Sequence, residues 1–596
     1  MRRSTLLAVG ALALVVPVAA VKRLRLTRYP RAPLGAEFSE RAGAGGDPSV
    51  LVAAGGDLLV LGGLLLLGGL LVPRALLVGV LRPAVALLTG IGLQATLGLL
   101  LLRWPLSAVV LIVTAVGGGW LLRRKGVLTG WRRTDLLPLG AALTLVAVTA
   151  VLSRRNGWAV FTHDSWSYWR GGEQLAAGAL GVADLELKRM LALQSLHAPG
   201  FGLGTDGVVS LGPVLLVVAV LWLALLPWVM SPRPSWPVRV TGVLAAVLVA
   251  SSMWFWWVAL YINSHLLVGT MLLLIVSLAY LTGQQVPAGG AAGGFRAAVV
   301  PVALAASAIA LARPEGFVVV GLVLLGSLRA TDGWRDWTPV WWVLGGVVVG
   351  WTVLLRVGAA QADASLLVPT LGIAAGLAIL VAPTLLALVG ERVRAALPIV
   401  VGMLLWSVTV ALLLTPLGES VRFAEMVRLN LGDGLGQWYL AAPLIATIGA
   451  FGLALTSGRP GLAPARWLLI GFIPVTLLAR LSDGIQQEDE LVGLATSLLS
   501  GGGRTSAGDS VTRMWTHVDA RRPRRDRDVR PRARGPRAGR LDPRTIAAWT
   551  PDGDRPRDSP SHAPARRGLV ATRLPRTGRA RHDHRHRLDG HRPRGS

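Results

Sequence analysis

A carboxylate set among aromatic rings, His163-Asp164-Ser165-Trp166-Ser167-Tyr168-Trp169, opens the longest polar insertion of this chain, between Phe161 and Phe201. An aspartate in such a place can take a proton from an attacking hydroxyl, provided burial or a neighbour tunes its pKa. The stretch from Asp164 to Ala179 can be helical, which puts Tyr168 on the face of Asp164 at i+4. The competing reading makes Asp164 a helix cap and Trp166 with Trp169 anchors in the lipid interface. The insertion closes on Leu196-His197-Ala198-Pro199-Gly200-Phe201.

Three further clusters carry usable groups. Arg313-Pro314-Glu315-Gly316 interrupts two apolar runs; a forked guanidinium there suits a phosphate, and proline can start the next helix without needing a donor. The alternative is an Arg-Glu pair that only stabilises a tight hairpin. Tyr261-Ile262-Asn263-Ser264-His265 opens another apolar run behind Trp254, Trp256 and Trp257, where an aromatic belt and a polar helix-start residue are expected. In Gly508-Asp509-Ser510-Val511-Thr512-Arg513-Met514-Trp515-Thr516-His517, Asp509 can cap a short helix that presents Arg513 and His517 on one face, or can be a solvated cap. Around Asp164 as the candidate catalytic base, the candidate substrate- or phosphate-binding residues are therefore His163, Tyr168, His197, His265, Arg313, Glu315, Asp509 and Arg513. Cysteine is absent, and no HExxH, Ser-His-Asp order or zinc-ligand spacing occurs, so neither metal nor other cofactor is expected.

The elements that must position these groups are membrane helices. Of 596 residues 53% are hydrophobic and 15% charged, and the apolar residues fall in runs near the length of a bilayer crossing. The expected fold is all-α, a polytopic transmembrane helical bundle of about 13–15 segments. The runs lie near 50–72, 83–102, 104–122, 135–152, 208–230, 240–258, 264–282, 297–312, 315–328, 338–355, 366–390, 396–415, 438–457 and 465–479. Positive loops stay on the cytoplasmic side. With Arg123, Arg124, Lys125, Arg132 and Arg133 inside, alternation puts Arg233, Arg239, Arg296, Arg329, Arg335, Arg392, Arg394, Arg459 and Arg466 inside as well. It puts His163, His197, His265 and His517 outside with Asp164, Asp206, Glu315 and Asp509, so the external loop 153–207 and its interfacial helices are where a site is expected.

Both termini stand apart. Residues 1–134 form a hydrophobic N-terminal region; its 50–122 part is rich in Leu, Val, Gly and Ala, and Asp57 and Arg82 are its internal charges. We read it as structural helices whose glycine pairs permit close packing. Lys22, Arg23, Arg25, Arg28 and Arg31 after the first apolar stretch do not fit the alternation. From residue 518 the composition changes abruptly. The last 78 residues hold 23 arginines against nine aspartates, half of the net charge of +28. Such a segment has no apolar period and is expected to be disordered. A frameshift in GC-rich DNA accounts for it; a polybasic segment for anionic lipid is the alternative, and nucleic acid is not expected as a partner.

The multi-span body, His163-Asp164-Ser-x-x-x-Tyr168 in the first large external loop, Leu196-His197-Ala-Pro-Gly-Phe201, the Tyr-Ile-Asn-Ser-His265 segment and Ala312-Arg-Pro-Glu-Gly316 together resemble actinobacterial membrane proteins of the GT-C glycosyltransferase superfamily. The resemblance covers roughly residues 135–517. It implies inversion at a sugar carbon, a polyprenyl-phosphate sugar donor, a cell-envelope glycan, lipid or protein acceptor, and an active face outside the cell membrane. The aspartate that acts as base in that family corresponds to Asp164, and Arg313 matches a polar position near the cavity. About 135 residues precede the span that should come first, and a further helix is expected where the basic tail stands. The alternative classes are a multi-pass transporter or lipid flippase, recognised by ionisable groups at mid-depth, and a non-catalytic membrane protein.

Overall fold

A computed structural model describes most of residues 48–413, interrupted mainly at 102–130, 157–162, 186–190, 231–234, 252–261 and 285–293, with a short helical piece at 465–471. The described residues form helices and turns, with no β-strand among them. In order these are α1 (Pro48–Leu71), α2 (Arg82–Leu101), α3 (Leu136–Asn156), α4 (His163–Ala177), α5 (Leu191–Gly202), α6 (Leu211–Met230), α7 (Trp236–Ser251), α8 (His265–Gln284), α9 (Gly294–Ala310), α10 (Gly316–Ser327), α11 (Gly333–Asp336), α12 (Thr338–Gln361), α13 (Leu367–Leu388) and α14 (Glu391–Leu413). Six of them are long and apolar enough to cross a membrane, and α6, α7, α9 and α10 contain shorter apolar helices. The chain is an all-α polytopic bundle. The runs expected at 104–122 and 438–457, most of 465–479, Asp509, Arg513 and the basic tail lie outside the described residues.

Apolar side chains alone do not decide how such helices pack, because lipid is as apolar as leucine. Shape does. A Cβ added at Gly68 would stand 1.8 Å from the Ala86 carbonyl oxygen, and one at Gly90 would stand 2.1 Å from that of Leu64. The α1 and α2 backbones therefore touch along an antiparallel crossing. Gly92 brings α2 close to α9, where a Cβ would stand 2.6 Å from the Leu304 carbonyl oxygen, and Gly98 brings it against Ser195 of α5. Helix α2 is thus central, with Val85, Ala86, Leu88, Ile91 and Ala95 all fully buried. The N-terminal helices are part of the core that carries α5.

Burial grades from this centre outwards. The most apolar window of α8 is 67% buried, against 17% in α13 and in α14. The outer two expose Leu371, Leu385, Leu388, Met403 and Leu404, an apolar surface of the kind hydrocarbon covers. Three hydroxyls inside the bundle return to their own helices: Thr89 donates to the Val85 carbonyl at 2.6 Å, Thr282 to Leu278 at 2.6 Å and Ser307 to Ala303 at 2.9 Å. Each of these three is satisfied without a partner helix.

The insertion after α3 is folded into the bundle rather than laid on its surface. Helix α4 ends as expected near Ala179, in a Schellman motif with Gly178 at φ +67°; Ala179 N donates to the Gln174 carbonyl and Gly178 N to that of Leu175. Gly171 and Gly172 then let α4 press on Gln194 and His197 of α5. Helix α5 is buried from Leu191 to Gly200. Trp169, expected as an interfacial anchor, is 2% exposed. Its ring meets Phe201 edge-on at 5.2 Å, and its indole N–H donates to the Asp206 carbonyl at 3.2 Å. The indole found an internal acceptor, which removes its reason to sit at a water boundary.

Candidate functional site

Helix direction alternates through the bundle so that the polar groups of the insertion and of the later turns meet at one end. Residue 192 bonds to the α9–α10 turn, Ala192 N donating to the Leu311 carbonyl at 3.0 Å. That turn carries Arg313 and Glu315, and the start of α8 brings His265 beside them. At the opposite end are Arg82 with Asp135 at 3.3 Å, Trp131 under the Arg82 guanidinium, and Arg296 with Asp336. His197, His265, Arg313, Glu315, Tyr168 and the first turn of α4 thus share an end.

The first part of this end is built on a buried ion pair. Arg154, in the last turn of α3, grips Asp57 of α1 with two hydrogen bonds, Nε to Oδ2 at 3.2 Å and Nη2 to Oδ1 at 2.7 Å. The side chains are 4% and 0% exposed. Arg154 Nη2 also donates to the Gly207 carbonyl at 2.6 Å, and Asp57 Oδ2 accepts from Ser210 N at 3.1 Å. Between these two clamped positions, Val208 N donates to Nδ1 of His197 at 3.1 Å. With Trp169 on Asp206, four positions of a five-residue loop are held by side chains from α4, α3, α5 and α1 in turn. Gly207 is required there: its φ is +75°, and a Cβ would meet the Phe201 ring at 3.1 Å and His197 Nδ1 at 3.2 Å.

His197 is 2% exposed, and its pKa is pushed down from 6.5 to about 3, first by burial and second by the charge of Arg154. The ring is neutral at any physiological pH. Because Nδ1 accepts, the proton sits on Nε2, which makes no hydrogen bond among the described residues. To a phosphate such a ring offers one hydrogen bond and no charge. It lines a cleft with Leu193, Val209, Leu211, Ile262 and Asn263.

Across that cleft lies the second part. His265 begins α8, and its backbone N–H donates to the Asn263 side-chain oxygen at 2.9 Å, so the expected helix-start role holds. Arg313 Nη1 lies 3.1 Å from His265 Nδ1. A guanidinium has no acceptor, so Nδ1 must accept, and the imidazole N–H is on Nε2. Arg313 Nε also donates to Glu315 Oε1. The Arg-Glu pair of a tight hairpin is present, and Gly316 packs on the Ile309 carbonyl. The same guanidinium reaches a histidine 48 residues away, which a hairpin alone does not need.

Asp164 and His163 stand in the first turn of α4, but their side chains lie outside the described residues, as do Asp509 and Arg513. Tyr168 is buried in the core, one turn along α4. Asp57 and Arg154 were absent from the expected site; the available signal was a single aspartate within a long apolar run, which is costly unless paired. Among the described residues no three His, Asp or Glu side chains group as metal ligands. No protein-family model, curated protein or solved structure matches the chain.

Proposed function

We propose that the chain is a membrane glycosyltransferase that moves a sugar from a polyprenyl-phosphate donor to a cell-envelope acceptor, with the polar end of the bundle facing out of the cell. One observation carries the reading: the His265–Arg313–Glu315 cluster, the His197 cleft and the start of α4 gather at one end of the bundle. That arrangement suits a substrate with a long apolar tail beside the helices and a charged head at their end. Asp164 takes the proton from the acceptor hydroxyl as its oxygen bonds to the sugar carbon. The bond from that carbon to the phosphate oxygen breaks, the configuration inverts, and polyprenyl phosphate leaves. Arg313 and His265 hold the phosphate, and Glu315 orients the guanidinium.

Reconstitution with radiolabelled polyprenyl-phosphate sugars tests this. Wild type transfers label, and Asp164→Asn lowers the rate by roughly 100-fold or more, the range of general-base catalysis. Full-rate transfer by the variant removes the base assignment. A transporter is the second reading, favoured by the presence of Asp57 with Arg154 inside a membrane-length helix. Both carboxylate oxygens of Asp57 are already engaged, which weighs against a carrier role. Substrate flux without transfer would establish transport.

A further inference from the structure

The Asp57–Arg154 pair does not touch the cleft, yet it brackets the one backbone group that does control it. Arg154 holds the carbonyl of Gly207, Asp57 holds the N–H of Ser210, and Val208, between them, gives its N–H to His197. The loop around these residues is pinned on its other side by Thr205, whose hydroxyl donates to the Gly200 carbonyl at 2.8 Å, and by Trp169 on Asp206. Gly200 and Gly207 pack so closely that a Cβ on Gly200 would stand 2.4 Å from the Gly207 carbonyl carbon. Small rotations of this loop therefore change whether Val208 N–H points at the imidazole.

A neutral histidine has two tautomers that differ little in water, and its partner decides which is populated. Here the partner is a backbone donor whose direction is set by Asp57 of α1 and Arg154 of α3, two groups 97 residues apart in sequence. We propose that Asp57 and Arg154 are positioning residues that hold His197 in its Nε2–H tautomer, so that the cleft shared with Asn263 receives a neutral hydrogen-bond donor of fixed direction. A cleft with this donor and an otherwise mostly apolar lining takes an uncharged oxygen, of a hydroxyl, ether or carbonyl, and leaves phosphate to Arg313. The inference deepens the proposed site, and its test does not depend on sugar transfer.

The full chain, labelled with ¹⁵N at histidine and held in lipid nanodiscs, is measured by long-range ¹H–¹⁵N spectroscopy near neutral pH. The His197 signals are identified by their loss in His197→Gln. In wild type they have the pattern of a protonated Nε2 and an acceptor Nδ1. In Asp57→Asn and in Arg154→Met that pattern gives way to averaged shifts of two exchanging tautomers. If either single variant fails to fold, the double variant Asp57→Leu/Arg154→Met, which leaves no lone buried charge, is read in the same way. A His197 pattern unchanged in the folded variants, or a wild-type ring protonated on Nδ1, overturns the proposal. Should the tautomer shift as expected while no sugar transfer is found, the positioning role stands and the glycosyltransferase reading falls.

Discussion

Two arginine–aspartate pairs of equal length, 2.7 Å each, sit at opposite ends of this bundle. Arg154–Asp57 has side chains 4% and 0% exposed, whereas Arg296–Asp336 has them 69% and 16% exposed. The distance is the same and the physics is not. In the exposed pair, water and salt screen the attraction, and two long side chains lose freedom for little gain. In the buried pair, each charge has been stripped of water, so the partner and the backbone groups of Gly207 and Ser210 are the remaining compensation. A short ion pair signals importance only when its surroundings forbid an alternative.

This contrast is sharpest under substitution. Arg154→Met leaves the Asp57 carboxylate buried and unpaired, and should lower stability by about 3–5 kcal/mol, measured as the unfolding midpoint in detergent. The double variant Asp57→Leu/Arg154→Met should recover much of that loss; a double as unstable as the single would mean the pair is not the unit that matters. Next comes His197. Its folded pKa of about 3 lies below its ordinary 6.5, so between those values the unfolded chain binds the extra proton. Stability is then full above pH 6.5 and falls as the pH drops towards 3, by at most about 1.4 kcal/mol per unit. The charged groups nearest the ring are Arg154 and its partner Asp57, and His197→Gln should flatten the slope. Gly207→Ala forces a side chain into a left-handed backbone against Phe201 and His197, at a cost of about 1–3 kcal/mol, readable by the same unfolding assay. The smallest effect belongs to the other end: Arg296→Ala should cost under about 1 kcal/mol and less still in high salt. A loss as large as that of Arg154→Met would show that burial is not what separates the two pairs.

Much of the fold was open to inspection in the residue order, because membrane helices are written as continuous apolar runs. The run at 264–282 became α8 from His265 to Gln284, and that at 366–390 became α13 from Leu367 to Leu388. What stayed hidden were the pairings between distant segments. Nothing local in Asp57 says that its partner lies at Arg154, since the crossing of α1 and α3 decides it. Trp169 was expected at the lipid interface because tryptophan commonly sits there; the acceptor that drew it inside, the Asp206 carbonyl, is 37 residues away. The His197 segment was seen as a polar stretch, but the space that makes it a buried helix is created by Gly98 on α2 and Gly171 on α4.

The Asp57 carboxylate belongs to a helix that the candidate-site motifs do not include. Any shortened protein beginning after Leu101 would retain every motif residue from His163 to Glu315, yet its Arg154 would have lost its carboxylate partner. The leading helices are a counter-charge supplied in advance, and the loop from Gly207 to Ser210 is held from both sides only when the first described helix is present.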